Sequence, residues 1–329
     1  MIADALIRSR AGTVDNLPPD LHKLRSVTFP AAIDEASQMN KWEPIVRFYV
    51  CLSELLGSVN FSVTSSNAAV LNGDGAQVIK MQRPDMGDVP FLSTSKNLGL
   101  FRKQMPLMEA WAELREDRAT EIQAQMAPQI AFWSATCGLQ PTRYKYTFEF
   151  LNLALAFAAT SAFRFKNAFG CPRPVEYWPG LQPMIPTPEH STYPCGHATE
   201  AFIAAHVLSA LDGESARSGS DLYIQLFTQA SRVAVNRTVA GVHFPIDNWA
   251  GEKLGTALSE YLLKGAGSTK VKGCTGAPFD GKEPRDYVQH GPENIKDYET
   301  YLNGLPTTNV KPLLAVAALY RAAASEWNQ

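Results

Sequence analysis

The sequence predicts a mainly α-helical bundle with minor β-structure in its N-terminal third. Three observations predict it. Apolar residues recur at helical spacing over several long stretches, one apolar segment from Thr147 to Lys166 is long enough for a buried core helix, and alternating, turn-punctuated sequence is confined to residues 59–89. With 329 residues, 45% hydrophobic and 19% charged, the chain has a globular composition and enough apolar surface to bury a sizeable core. It reads as a single all-α domain in three parts: an N-terminal scaffold over 1–145, a helical core over 146–265 that carries the chemistry, and a C-terminal loop and helix over 266–329.

Residues 1–40 are rich in turn formers, with Pro18, Pro19 and Pro30, and read as an arm. From Trp42 to Leu56, Ile45, Val46, Tyr49, Val50, Leu52 and Leu56 mark one face of a helix, and Gly57 is its stop. The run Asn72-Gly73-Asp74-Gly75 between short alternations is compatible with a hairpin. Helical spacing returns from about Met105 to Ala135, where the charged stretch Glu113 to Glu121 is most simply a solvated face. Pro245 to Leu263 and Pro312 to Trp327 read as further helices, and 266–312, dense in Gly and Pro, as surface connection.

Charge and cysteine usage narrow the function classes. Thirty Lys and Arg against thirty-two Asp and Glu give a net charge of −2, so neither nucleic acid nor an anionic membrane surface is an expected partner. The most apolar segment, Leu151 to Phe163, is too short and too polar for a bilayer span. The opening MIADALIRSR lacks the order of a signal peptide, and a soluble, cytoplasmic protein is the default expectation. The five cysteines, Cys51, Cys137, Cys171, Cys195 and Cys274, form no C-x-x-C pair, which fits a reducing compartment.

The chemistry lies between residues 166 and 247, in three blocks: Lys166-x6-Arg173-Pro174, Tyr193-Pro194-Cys195-Gly196-His197, and Arg237-x5-His243-x3-Asp247. Pro174 holds Arg173 out of the α region and gives its planar guanidinium a defined direction. Gly196 and His197 open a helical run, where unpaired backbone N–H groups and the helix dipole favour an anion. His206, farther along the apolar face, reads as core. Pro245 at a helix start places His243 just before the helix and Asp247 in its first turn, so that the carboxylate fixes the imidazole tautomer. Singly, each block is compatible with surface charge, a structural histidine or a helix cap. In order, they form a set suited to a multiply charged oxyanion, with two histidines left for nucleophilic and acid–base work.

These blocks resemble the signature shared by type 2 phosphatidic acid phosphatases, bacterial nonspecific acid phosphatases and vanadium-dependent haloperoxidases, K-x6-R-P, P-S-G-H and S-R-x5-H-x3-D. The match falls on Lys166, Arg173, Pro174, Pro194, Gly196, His197, Arg237, His243 and Asp247, with Cys195 and Asn236 each standing where the pattern has Ser. The resemblance implies a helical bundle around an oxyanion pocket in which Lys166, Arg173, Arg237 and the Gly196 backbone hold oxygens, Cys195 sits in the serine's place, and Asp247 orients His243. In a phosphatase, His243 attacks phosphorus and His197 protonates the leaving group. In a haloperoxidase the cofactor is vanadate, His243 is its metal ligand, and His197 assists peroxide activation.

His190 stands seven residues before His197, the offset at which bromoperoxidases of the family carry a second histidine. This places a bromide-favouring, vanadate-dependent haloperoxidase first, with hydrogen peroxide, halide and a small organic acceptor as partners. A soluble phosphomonoester hydrolase is the alternative, and a non-enzymatic phosphate-binding relative the third reading. Phosphate is expected to compete for the same site, and a homo-oligomer is expected. Cys195 argues against a peroxidase, because a thiol among Lys, Arg and a helix N-terminus is expected to have a low pKa and to oxidise readily.

Overall fold

The computed structural model describes residues 2–13, 41–87, 98–126, 129–213, 220–271, 273, 276–307 and 309–328. The chain divides into two compact units, Met1–Ala32 and Ile33–Gln329. In the first, Ile2–Thr13 forms helix α1, with an exposed Arg8–Asp4 pair one turn apart at 3.1 Å. The turn-rich reading of this stretch therefore fails at its start; Pro18, Pro19 and Pro30 lie outside the described residues.

The second unit is mainly α-helical, as predicted. Helix α2 (Pro44–Gly57) opens it and stops at Gly57. A three-stranded antiparallel sheet follows, β1 (Val59–Val63), β2 (Asn67–Asn72) and β3 (Gln77–Gln82), in sequential order. Val59 pairs with Asn72 and Phe61 with Val70, and a register shift interrupts β2–β3 at Val70/Leu71. The β2–β3 turn is the one expected at Asn72–Gly75: the Asn72 side-chain oxygen accepts from Asp74 N and Ala76 N, and Gly75 has a φ of 82°.

The helical spacing expected from about Met105 to Ala135 is realised as three helices, α3 (Gly99–Ala112), α4 (Arg115–Ala124) and α5 (Ile130–Cys137). Glu113 to Glu121 is not simply a solvated face. Glu121 pairs with Arg232 at 2.7 Å, Arg115 Nε donates to Val239 O at 3.0 Å, and Arg118 Nη1 donates to the Asn236 side chain at 2.9 Å. These contacts fasten α4 along a later helix that carries part of the site.

Five helices form the centre: α6 (Lys145–Phe169), the short α7 (Pro174–Tyr177), α8 (Gly196–Asp212), α9 (Asp221–Val239) and α10 (Pro245–Gly265). From Ala198 to Leu211 nearly every residue of α8 is buried, as expected of a helix that is apolar all round and packed by α6, α9 and α10. Two glycines let α10 approach it closely. A Cβ on Gly251 would lie 2.6 Å from Cys195 O, and one on Gly255 would lie 2.5 Å from Thr199 O. Cys195 N donates to Asp247 O at 2.9 Å, so the starts of α8 and α10 are locked together.

Helix α9, begun by Ser220 accepting from Tyr223 N, and α11 (Pro292–Gly304) were not among the predicted helices. The density of Gly and Pro around α11 masks Ile295, Tyr298 and Leu302, which it buries. Helix α12 (Leu314–Ser325) packs on α6, and the Glu326 carboxylate after it accepts from the α6 backbone at Tyr146 N (2.9 Å) and Thr147 N (2.8 Å). Among the described residues, no helix is long and apolar enough to cross a membrane.

Candidate active site: an oxyanion cavity at two helix starts

A cavity of about 220 Å³ is lined by Lys166, Arg173, His190, Gly196, His197, Glu200, Arg237 and His243, with Phe163, Ile185 and other apolar residues at its walls. This is smaller than the ~300–1,000 Å³ of pockets for drug-sized ligands and suits a small anion with little more. The three sequence blocks therefore meet in one place. Each arrives by a local rule: Lys166 from the last turn of α6, Arg173 from the extended residue before Pro174 (φ −76°, ψ 158°), and Gly196 and His197 from the first turn of α8. Arg237 comes from the last turn of α9, whose carbonyl accepts from Val242 N and His243 N and so folds the link to α10 back onto the cavity.

All three cations are buried. Lys166 Nζ donates to Ser191 O (2.7 Å) and Thr192 O (2.9 Å), and burial beside Arg173 lowers its pKa to about 7. Arg173 Nε donates to His190 O, and Nη1 donates to Val242 O at 2.8 Å and contacts His243 Nε2 at 3.1 Å. Arg237 Nη2 donates to Gln125 Oε1 at 2.8 Å, and burial lowers the guanidinium to about 10. Among the described residues its Nε and Nη1 are buried with no hydrogen-bond partner, a costly arrangement that an oxyanion in the cavity would relieve. At Gly196 an added Cβ would meet Lys166 Cε at 3.9 Å, an ordinary contact, so local packing alone does not demand glycine there.

The hydrogen bonds assign the imidazole tautomers of His243 and His197. His243 Nδ1 lies 3.1 Å from Asp247 Oδ2 and 3.2 Å from Thr192 Oγ1, while Thr192 Oγ1 itself donates to Asp247 Oδ2 at 2.5 Å. Nδ1 therefore carries the proton, and Nε2, next to an arginine that can only donate, carries the lone pair. Burial, then Arg173 and Lys166, holds the His243 pKa well below its ordinary value, so the ring is neutral. His197 Nε2 lies 3.1 Å from Gln125 O and must donate to it; burial and Arg237 push its pKa down to about 3. A bound dianion would act in the opposite sense on both rings. His190 Nδ1 lies between Arg173 Nη2 at 3.0 Å, which can only donate, and Ser191 O at 3.2 Å, which can only accept, so unlike the other two rings its tautomer is not set by its contacts; its ring meets Phe163 edge-on at 5.1 Å, and burial lowers its pKa.

Asp247 stands behind His243, outside the cavity lining; Phe244 N also donates to its Oδ2, at 2.8 Å. Cys195 is also absent from the lining. Its thiol is fully buried and accepts from Ala198 N at 3.5 Å as the N-cap of α8. The expected lowering of its pKa is reversed: burial raises it to about 11, outweighing Lys166 and Arg237. Its nucleophilic, oxidisable form is thus suppressed. Cys195→Ser is expected to change stability by no more than about 1 kcal/mol, since a hydroxyl caps at least as well. It is also expected to preserve or improve turnover. In the unaltered protein, peroxide treatment followed by peptide mass analysis should find residue 195 still reduced, and sulfenylation there would contradict the burial argument.

Sequence reasoning missed three residues. Thr192, in the His190–His197 segment, supplies the second hydrogen bond that holds Asp247. Gln125, at the end of α4, receives Arg237 on its side chain and His197 on its carbonyl, and Asn236 steadies it through a 3.1 Å hydrogen bond. Nothing local marks Gln125. Glu200 was legible as a lone carboxylate three residues after His197 on an apolar helix. His206 is core, as expected, bonded to Tyr298 Oη at 2.8 Å.

Residues 149–265 match the PAP2 superfamily model. The matched PAP2 segment is about a third of the chain and contains all three blocks. Members of the PAP2 superfamily are generally phosphoester hydrolases or haloperoxidases. No curated protein matches the chain.

Proposed function

We propose that this protein is a haloperoxidase of the PAP2 superfamily that uses vanadate, hydrogen peroxide and halide, with bromide favoured, to halogenate a small organic acceptor. The observation that carries this reading is His190. It lines the cavity, tied to Arg173 and packed on Phe163, where neither binding a phosphate ester nor attacking phosphorus calls for a further imidazole. The donor set fits vanadate: three buried cations, two of them guanidinium forks, Arg237 N–H groups without partners, and the neutral His243 Nε2. Lys166, Arg173, Arg237 and the Gly196 backbone would hold its oxygens and His243 its metal. Vanadate so held supplies activation of peroxide toward two-electron oxidation of halide. Around it, Asp247 keeps the His243 lone pair on Nε2. His197, donating from Nε2 to Gln125 O, has Nδ1 free to accept the peroxide proton. His190, held at the cavity wall by Arg173, would present the Nε2 edge of its ring to halide and donate to it whenever the proton resides there.

The buried state of Cys195 removes the main objection to a peroxide-using site. Bromination of monochlorodimedone with vanadate, bromide and peroxide, run beside hydrolysis of p-nitrophenyl phosphate without vanadate, tests the proposal. Vanadate-dependent bromination supports it. Hydrolysis alone would favour the second reading, a phosphomonoester hydrolase in which the same His243 Nε2 is the nucleophile. Folded protein inactive in both would overturn each enzymatic reading. His190→Phe is expected to lower the bromide-to-chloride ratio of kcat/KM by roughly tenfold; an unchanged halide profile would remove the basis for the bromide preference.

A further inference from the structure

Among the described residues Glu200 is the one acidic side chain lining the cavity, and the anion chemistry above does not use it. It lies on α8 three residues after His197, so the two share a helix face. It is half-buried between the buried Thr199 and Ala201 and faces the cavity. Among the described residues its carboxyl has no hydrogen bond and no ion pair, although cations surround the same space. Facing the cavity with it are Lys166 from α6, Arg173 before α7, His190 from the following loop, His197 from its own helix, Arg237 from α9 and His243 before α10. Burial raises the Glu200 pKa to about 7, opposed by Lys166. A negative charge inside an anion site repels every anion unless a hydrogen is shared between them.

We propose that Glu200 makes this cavity selective for oxyanions that carry a proton, holding an X–O–H group of the bound anion through a carboxyl–oxyanion hydrogen bond. The inference rests on the reading of the cavity as an oxyanion site. Phosphate and vanadate keep a proton on oxygen at neutral pH and satisfy the carboxylate. Sulfate has no such proton and meets an uncompensated repulsion. The carboxyl thus sorts tetrahedral anions that three cations alone would accept together.

Calorimetric titration of the full chain with inorganic phosphate and with sulfate, at about pH 8 where most Glu200 carboxyls are ionised, tests this. Lys166, with a pKa likewise about 7, has mostly lost its proton there, but it acts on both anions alike and cancels from their ratio. The unaltered protein is expected to prefer phosphate by roughly 10- to 100-fold, the worth of one charge-assisted hydrogen bond in place of a repulsion. Glu200→Gln keeps an acceptor oxygen but no charge. It should tighten sulfate by about tenfold and leave phosphate within about threefold, and the retained phosphate binding reports that the variant is folded. Equal affinities in the unaltered protein, or an unchanged ratio in the variant, would overturn the role of Glu200 while leaving halogenation or hydrolysis intact. Binding of neither anion by folded protein would overturn the oxyanion reading and the Glu200 inference with it.

Discussion

His243→Ala is expected to lower turnover by roughly 10³-fold or more in whichever of the two reactions the protein performs. Among the described residues the ring is the only group in the cavity with a neutral nitrogen lone pair backed by a buried carboxylate: Nδ1–H points to Asp247 and Thr192, Nε2 to Arg173. Removing it takes away the atom that would attack phosphorus or bond vanadium. The cations that would hold oxygens are left untouched. Phosphate affinity should therefore stay within about tenfold, because a neutral imidazole adds little Coulombic attraction for an anion. Steady-state kinetics beside phosphate calorimetry separates the two effects. Retained turnover would move the nucleophile or ligand elsewhere, and loss of phosphate binding would show the ring to be a structural support of the anion site.

The features that position His243 were legible because they act within a few residues. Pro174 sets Arg173 extended, Pro245 starts α10 one residue after Phe244, and an Asp three residues into that helix reaches back to the imidazole. The same holds for Gly196 at the α8 start and for the Asn72–Gly75 turn. What escaped the sequence depends on partners far along the chain. Glu121 looks like part of a solvated charge run until Arg232, 111 residues away, is seen to close on it. Gln125 joins Arg237 and His197 only because α4 lies along α9.

Cys195 shows the limit most clearly. Its charged neighbours are readable from the motif, and they argue for a low pKa. Its depth is not readable, since it comes from Gly251 and Gly255 letting α10 lie against α8. Depth decides the outcome, because desolvation of a thiolate outweighs nearby cations that are themselves half-engaged with backbone carbonyls. The sequence pattern thus identifies which groups meet and says little about how much water remains among them.

Asp247→Asn should separate activity from stability. The carboxylate Oδ2 accepts from His243 Nδ1, Thr192 Oγ1 and Phe244 N, so it needs a proton on Nδ1 of the ring. An amide that turns its NH₂ toward Nδ1 reverses the tautomer, moves the proton to Nε2 and removes the lone pair from the cavity. Turnover is expected to fall roughly 10²- to 10⁴-fold, with phosphate affinity changed far less. Stability should move differently. Burial raises the Asp247 pKa from 3.8 to about 6, so between those values the folded state binds more protons than the unfolded one, and stability falls as pH rises through that window. Above about pH 6 the penalty is complete, on the order of 3 kcal/mol. Asparagine carries no such penalty, and its loss offsets the weakened hydrogen bonds. The variant is therefore expected to be about as stable as the unaltered protein at neutral pH and less stable relative to it near pH 4, where the aspartic acid is already protonated. Denaturant titrations at the two pH values, beside kinetics, check this; a variant unfolded at neutral pH would show that the hydrogen bonds of Asp247, rather than its charge, dominate its contribution to the fold.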